Sequence, residues 1–118
     1  MISSFKSAAA RSNPMDSIPR AIASHVDAIA REQILAAGLR KCYLNITGYN
    51  LGLYPIHTPR TSDFSRIFLP TSDWTLKEGM VFHMYVSDAG VAFSETVVIT
   101  ANGAERLTKA PRTLFEAL

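Results

Sequence analysis

Apolar residues first recur at helical spacing at Val26, Ile29, Ala30 and Ile34, with Asp27, Arg31 and Glu32 between them. That spacing marks a helix with one buried stripe. Ser24-His25-Val26-Asp27 has the Ser-x-x-Asp form of a capping box, and Asp27 suits the positive end of the helix dipole. Gly38 follows as a C′ residue, where a left-handed backbone is needed. The pattern predicts a helix over about residues 25–37, with Ile18-Pro19 extended ahead of it. His25 falls in the first turn, on the surface.

Beyond the helix the period shortens to two. Cys42 to Leu53 is β-like, through Tyr43, Leu44, Ile46, Tyr49, Leu51 and Leu53. Gly48 and Gly52 interrupt it, as glycines do at a bulge or a close backbone approach. Pro55, Pro59 and Pro70, with the Thr-Ser-Asp runs at 61–63 and 71–73, predict a long loop over 54–78. Met80 to Val86 then reads as a strand and Asp88-Ala89-Gly90 as a turn. Val91 to Thr100 is a second strand, and Ala104 to Leu107 returns after Asn102-Gly103, a hairpin signal of the type I′ kind. Pro111 ends the sheet, and Leu114, Phe115 and Leu118 form a short apolar tail. The expected architecture is α+β, one main helix packed on an antiparallel sheet.

Alternation also assigns faces. Met80, Phe82, Met84 and Val86 form a core face, which leaves His83 and Tyr85 on a less apolar one. Val91, Phe93, Glu95, Val97 and Ile99 share a face in which the middle residue is a carboxylate. Burying that charge is costly unless an Arg, a metal or a substrate ammonium answers it. The competing reading makes this the wetter face, with Ala92, Ser94, Thr96 and Val98 inside. His57, in the Pro-rich loop, is a further candidate to reach a pocket.

Composition narrows the function classes. The chain of 118 residues suits one domain, and a net charge of +2 without a basic stripe does not suggest a nucleic-acid partner. Cys42 is the only cysteine, which excludes an intrachain disulfide and points to a reducing, cytoplasmic setting. No apolar run approaches the ~18–20 residues that span a bilayer. The Ser-rich, acid-poor start to Ser17 reads as part of a flexible N-terminal tail over 1–21, with a transit peptide as the alternative. No HExxH, CxxC, Gly-rich phosphate loop or nucleophile elbow is present, and no metal or cofactor is expected.

Five stretches, spread over residues 22–118, resemble the C-terminal half of the pita-bread domain of the Xaa-Pro peptidase/creatinase family. Val26-Asp27-Ala28-Ile29-Ala30-Arg31 resembles the family's V-D-x-A-x-R helix. Gly48-Tyr49-Asn50-Leu51-Gly52 resembles G-H-x-x-G, and Leu76 to Phe82 resembles L-x-P-G-M-V. Ser94 to Thr100 resembles E-D/E-T-x-x-V-T, and Gly103 to Thr108 with Pro111-Arg112 resembles the ending. The resemblance implies a half pita-bread fold. It also shows departures. Tyr49 stands where the peptidases have a metal-binding His, and Tyr85, in Met84-Tyr85-Val86, stands where they have the Glu of M-E-P. Glu95 is the expected match to the last glutamate ligand.

The ectoine hydrolase branch resembles the chain further, through Gly79-Met80-Val81-Phe82-His83 and Phe93-Ser94-Glu95-Thr96. That likeness implies metal-free, acid–base hydrolysis of a C–N bond in a small molecule. Glu95 and His83 would be catalytic, with Tyr49, Tyr85 and His57 lining the substrate pocket. It also implies a missing first half, so the chain is expected to be inactive alone, or to work as a homodimer or with a separate N-terminal half. A non-catalytic binding or dimerisation module, or a fragment of a metal-dependent Xaa-Pro peptidase, are the alternatives.

Overall fold

The computed structural model describes residues 20–52, 57, 61–111, 113 and 115–117. The tail before Arg20, the extended Ile18-Pro19, Leu53, Pro55, Pro59 and the apolar residues Leu114 and Leu118 lie outside them. One helix, α1 (Ala23–Ala36), precedes β1 (Gly48–Leu51), β2 (Val81–Asp88), β3 (Val91–Thr100) and β4 (Gly103–Arg106). The strands form one antiparallel sheet in the order β1-β2-β3-β4. One helix on an antiparallel sheet is the α+β arrangement expected.

Helix α1 starts two residues earlier than its pattern predicts, and it does not use the capping box. Its N-cap is Ile22 and no side chain caps it. The predicted partner, Asp27, is instead fully buried. The buried stripe is Ala23, Asp27, Arg31 and Ile34, not the purely apolar set. Asp27 and Arg31 can lie inward because they are one helical turn apart and pair with each other. At the other end Gly38 has φ +70 and donates its N–H to the Leu35 carbonyl, as a C′ glycine should.

The β-like run from Cys42 condenses to β1 alone. The preceding backbone is held by Arg31 at the Tyr43 and Asn45 carbonyls, and at Thr47 by Tyr85 of β2, whose N–H donates to the Thr47 carbonyl at 3.0 Å. Gly48 is required by close approach: a Cβ there would lie 2.5 Å from Met84 Sδ and 2.9 Å from the His83 carbonyl. The 61–78 stretch holds no named strand among its described residues, yet it is a structural layer. Arg66 and Phe68 bond the outer edge of β1, with Asn50 N–H to Arg66 O at 2.9 Å and Phe68 N–H to Gly48 O at 3.0 Å. The outer edge of β1 is therefore covered.

The first hairpin turns at Ala89-Gly90, as predicted, and the second differs from its prediction. Positive φ at both central positions, the I′ requirement, occurs at Ala89 (+48) and Gly90 (+80), not at Asn102-Gly103. Ala101-Asn102 make the second turn and Gly103 (φ +129) opens β4. Thr100 takes the place of the expected turn chemistry: Asn102 N–H donates to its Oγ1 at 3.3 Å, and that hydroxyl donates to the Gly103 carbonyl at 2.9 Å.

The core lies between α1 and one face of the sheet. Ala23, Phe68, Leu76, Phe82 and Ile99 form its larger part, with Trp74, Met80 and Met84 against it. Phe68 meets Trp74 and Phe82 edge-to-face at 5.0 and 4.9 Å. Ile34, Tyr43 and Val86 form a second cluster further along the helix. Among the described residues, no helix is long and apolar enough to cross a membrane.

Candidate functional site

Directly paired residues of an antiparallel sheet share a face. Gly48 pairs with Met84, Met84 with Glu95, Phe82 with Val97 and Val86 with Phe93. Those residues lie on the face covered by α1. Tyr49 pairs with His83, His83 with Thr96, and Tyr85 with Ser94. Those point to the opposite, open face.

The structure therefore brings Tyr49, His83 and Tyr85 together and sets Glu95 apart from them. His83 Nδ1 lies 2.7 Å from Tyr49 Oη, a strong hydrogen bond whose donor depends on the tautomer. The rings of Tyr49 and His83 meet at 79° with centroids 5.0 Å apart, and Tyr49 meets Tyr85 at 67° and 6.1 Å. His83 and Tyr85 sit side by side, 5.4 Å apart and tilted by 39°. Burial, and the neighbouring Tyr43 and Tyr49, push the Tyr85 phenol above its ordinary value. It stays neutral across the physiological range.

Glu95, expected in the same pocket, lies on the covered face instead. Its side chain is 13% exposed, and Arg106 Nη1 reaches Oε1 at 3.2 Å from the diagonal position on β4. Of the compensations open to a buried carboxylate, the structure shows an arginine. His57 lies exposed at a turn, and among the described residues no hydrogen bond or ring contact joins it to these side chains.

Three features escaped sequence reasoning. Ser94 and Thr96, not Glu95, face His83 and Tyr85. Pairing β3 with the core face of β2 would have shown this, because Glu95 has the parity of the apolar residues. In the E-D/E-T pattern the first acidic position falls on Ser94. Phe64 was the second: it sits at φ +56 and meets the Tyr49 ring at 4.9 Å. Asn50 fixes its loop, donating to Asp63 Oδ1 at 2.8 Å and accepting from Arg66 N–H at 3.0 Å. The third was a buried anchor behind the site. Arg31 Nε and Nη2 hold Asp27 at 2.7 and 2.8 Å, and Thr47 Oγ1 donates to Asp27 Oδ1 at 2.6 Å. Arg31 also donates to the carbonyls of Tyr43 and Asn45. This cluster pins the chain that enters β1, two residues before Tyr49. The carboxylate beside Arg31 raises its pKa further.

A helix on one face of an antiparallel sheet, with the other face open, is the arrangement that the pita-bread resemblance implied. The comparisons agree. The chain is 37% identical over 102 residues to the Xaa-Pro dipeptidase of Pyrococcus furiosus, covering 82% of this chain and 27% of that protein. It is 34% identical over 73 residues to the ectoine hydrolase of Halomonas elongata, covering 58% of this chain and 18% of that protein. The solved prolidase of Pyrococcus furiosus superposes with a TM-score of 0.66 at 32% identity, over 81% of this chain and 28% of that one. Metallopeptidase family M24 matches residues 8–101. The chain belongs to the M24 family, and it spans about a quarter of the length of the Xaa-Pro dipeptidase it matches.

The family name implies a metal, and the donor set here does not fit one. A divalent pair calls for several carboxylates and imidazoles. The open face of β1 to β3 offers one imidazole, already bonded through Nδ1, two phenols and the hydroxyls of Ser94 and Thr96. Among the described residues no group of three or more His, Cys, Asp and Glu could hold a metal.

Proposed function

We propose that this chain supplies one wall of a small-molecule site of the C–N hydrolase kind, related to ectoine hydrolase in chemistry, and that it does not turn over substrate alone. The observation that carries the reading is the His83–Tyr49 hydrogen bond at 2.7 Å on the open face. It sits where the resemblance places a metal-binding His in the peptidases. In such a hydrolysis water adds to the carbon of an amide or amidine, the C–N bond breaks, and the departing nitrogen takes up a proton. Tyr49 orients the imidazole of His83 through Nδ1, which leaves Nε2 to carry a proton at the substrate. The other groups needed would come from the first half of the domain. Free, exposed Cys42 suits a reducing compartment such as the cytoplasm.

A second reading has its own support. β1 to β3 place no carboxylate on the open face, as a non-catalytic module that binds a small molecule would allow.

One assay tests both: purified chain with ectoine and with Xaa-Pro dipeptides, with and without manganese, with binding followed by calorimetry. Binding without turnover, in either metal condition, is expected. Manganese-dependent cleavage of a dipeptide would overturn the metal-free reading, and metal-independent ectoine opening would overturn the claim that the chain needs a second half.

A further inference from the structure

The aromatic side chains of the open face have a geometry that hydrolysis alone does not require. The His83 and Tyr85 rings form a floor, side by side at 5.4 Å, and the Tyr49 ring stands against them at 79° and 67°. The Phe64 ring packs against Tyr49 at 4.9 Å, on a loop fixed by Asn50. Phe64 is 53% exposed, although it is a large apolar ring at the mouth of this corner. Rings meeting at steep angles turn toward a shared corner, and the face of a tyrosine ring attracts a cation.

The charges nearby decide which kind of cation. On β1 to β3 the open-face positions are Tyr49, Leu51, Val81, His83, Tyr85, Ser87, Ala92, Ser94, Thr96, Val98 and Thr100. None is a carboxylate, and the two acids of these strands, Asp88 and Glu95, have the opposite parity. The acids around this face are answered locally: Asp63, beside Phe64, accepts from Asn50 Nδ2 and from Ser65 N–H, and Glu105, which pairs with Val98 from β4, meets Lys109 at 3.8 Å. A primary ammonium is strongly hydrated and needs acceptors to replace its water. A quaternary ammonium is weakly hydrated, donates no hydrogen bond and needs only aromatic surface. The neutral Tyr85 phenol, held protonated by burial, adds no charge of its own.

We infer that the Tyr49–His83–Tyr85 corner, with Phe64 at its rim, is a binding site for a quaternary ammonium group carried by a small molecule. The inference names a ligand class for the same open face, but binding does not depend on the hydrolytic reading.

The test is calorimetric titration of the full 118-residue chain with tetramethylammonium and choline, against 3,3-dimethylbutan-1-ol, the uncharged isostere of choline. The corner should prefer choline to the isostere by roughly tenfold, because the shapes match and only the charge differs. Tyr85→Leu and Tyr49→Leu should each weaken choline binding about three- to tenfold, whereas Tyr85→Phe keeps the ring and the affinity. Circular dichroism identifies any variant that fails to fold, and Tyr85→Phe against Tyr85→Leu then decides. Equal affinity for choline and its isostere, no binding of either cation, or full retention in Tyr85→Leu would each overturn the inference. If the chain binds ectoine without turnover yet shows no preference for the charged ligand, the inference falls and the hydrolase reading stands.

Discussion

The two faces of the sheet come from the same strands and have opposite chemistry. Toward α1 the strands send Phe82, Val86 and Ile99 into the core, and Glu95, the carboxylate among them, is answered by Arg106. Away from α1 they send Tyr49, His83, Tyr85, Ser94 and Thr96, with no acid from β1 to β3. A step of one residue separates a carboxylate paired with Arg106 from a hydroxyl on the open face. The role of a polar residue in a strand is thus set by its parity before its chemistry, because a slip of one position moves every side chain to the other face.

The largest effect should come from the anchor that holds both faces in place. Asp27 is fully buried and takes three hydrogen bonds from Arg31 and Thr47. Asp27→Ala leaves the Arg31 guanidinium buried with only the Tyr43 and Asn45 carbonyls. Removing one partner of a buried pair costs about 3–5 kcal/mol, and urea denaturation should show a loss of that size. Replacing the pair together, as Asp27→Leu with Arg31→Met, should recover part of it. A loss under about 1 kcal/mol for Asp27→Ala would mean that helix packing alone places β1.

Next is Gly48→Ala, where the two faces share one backbone position. The new Cβ would meet Met84 Sδ on the covered side and the His83 carbonyl on the strand itself. The sulfur is the flexible end of a side chain and can move; the carbonyl belongs to the sheet ladder. Overpacking of this kind costs about 1–3 kcal/mol. Adding Met84→Ala should relieve the sulfur clash but not the carbonyl clash, so the double variant should not regain wild-type stability.

The sequence disclosed the elements with strong local signatures. The helix, the β2–β3 hairpin and the Gly38 stop follow from periodicity and from a residue that tolerates positive φ. The face of β2 was legible too, because Met80, Phe82, Met84 and Val86 alternate without a break. What stayed hidden depends on contacts distant in sequence. Asp27 looked like a cap because nothing local shows Thr47 waiting twenty residues on. Glu95 looked like a site residue because β3 taken alone does not say which face meets the helix. Phe64 gave no signal, since its place depends on Asn50 across the sheet edge. The turn at Asn102-Gly103 shifted because Thr100 caps it through a side chain.

Glu95→Gln should have a small effect, in contrast to Asp27. Its partner Arg106 is 37% exposed, and solvent screens such a pair to about 0–1 kcal/mol. Ligand binding on the open face should not change, because the carboxamide would lie on the other side of the sheet. A binding defect in this variant would reverse the assignment of faces.

The smallest effect separates the two faces by pH alone. Tyr85 ionises from a neutral phenol to an anion, and burial opposes the anion, so the folded chain raises its pKa above the ordinary 10.0. The unfolded chain gives up this proton first as pH rises. The contribution of the group is therefore fully present below about pH 10 and is lost as pH climbs through the higher folded value. In a difference absorbance titration one phenol should ionise late, and Tyr85→Phe should remove that late step. On the covered face the pKa of Arg31 is shifted further up, away from titration in this range. A titration in which every phenol of Tyr85→Phe and of the parent ionises together near the ordinary value would show that the open face is fully wetted at Tyr85.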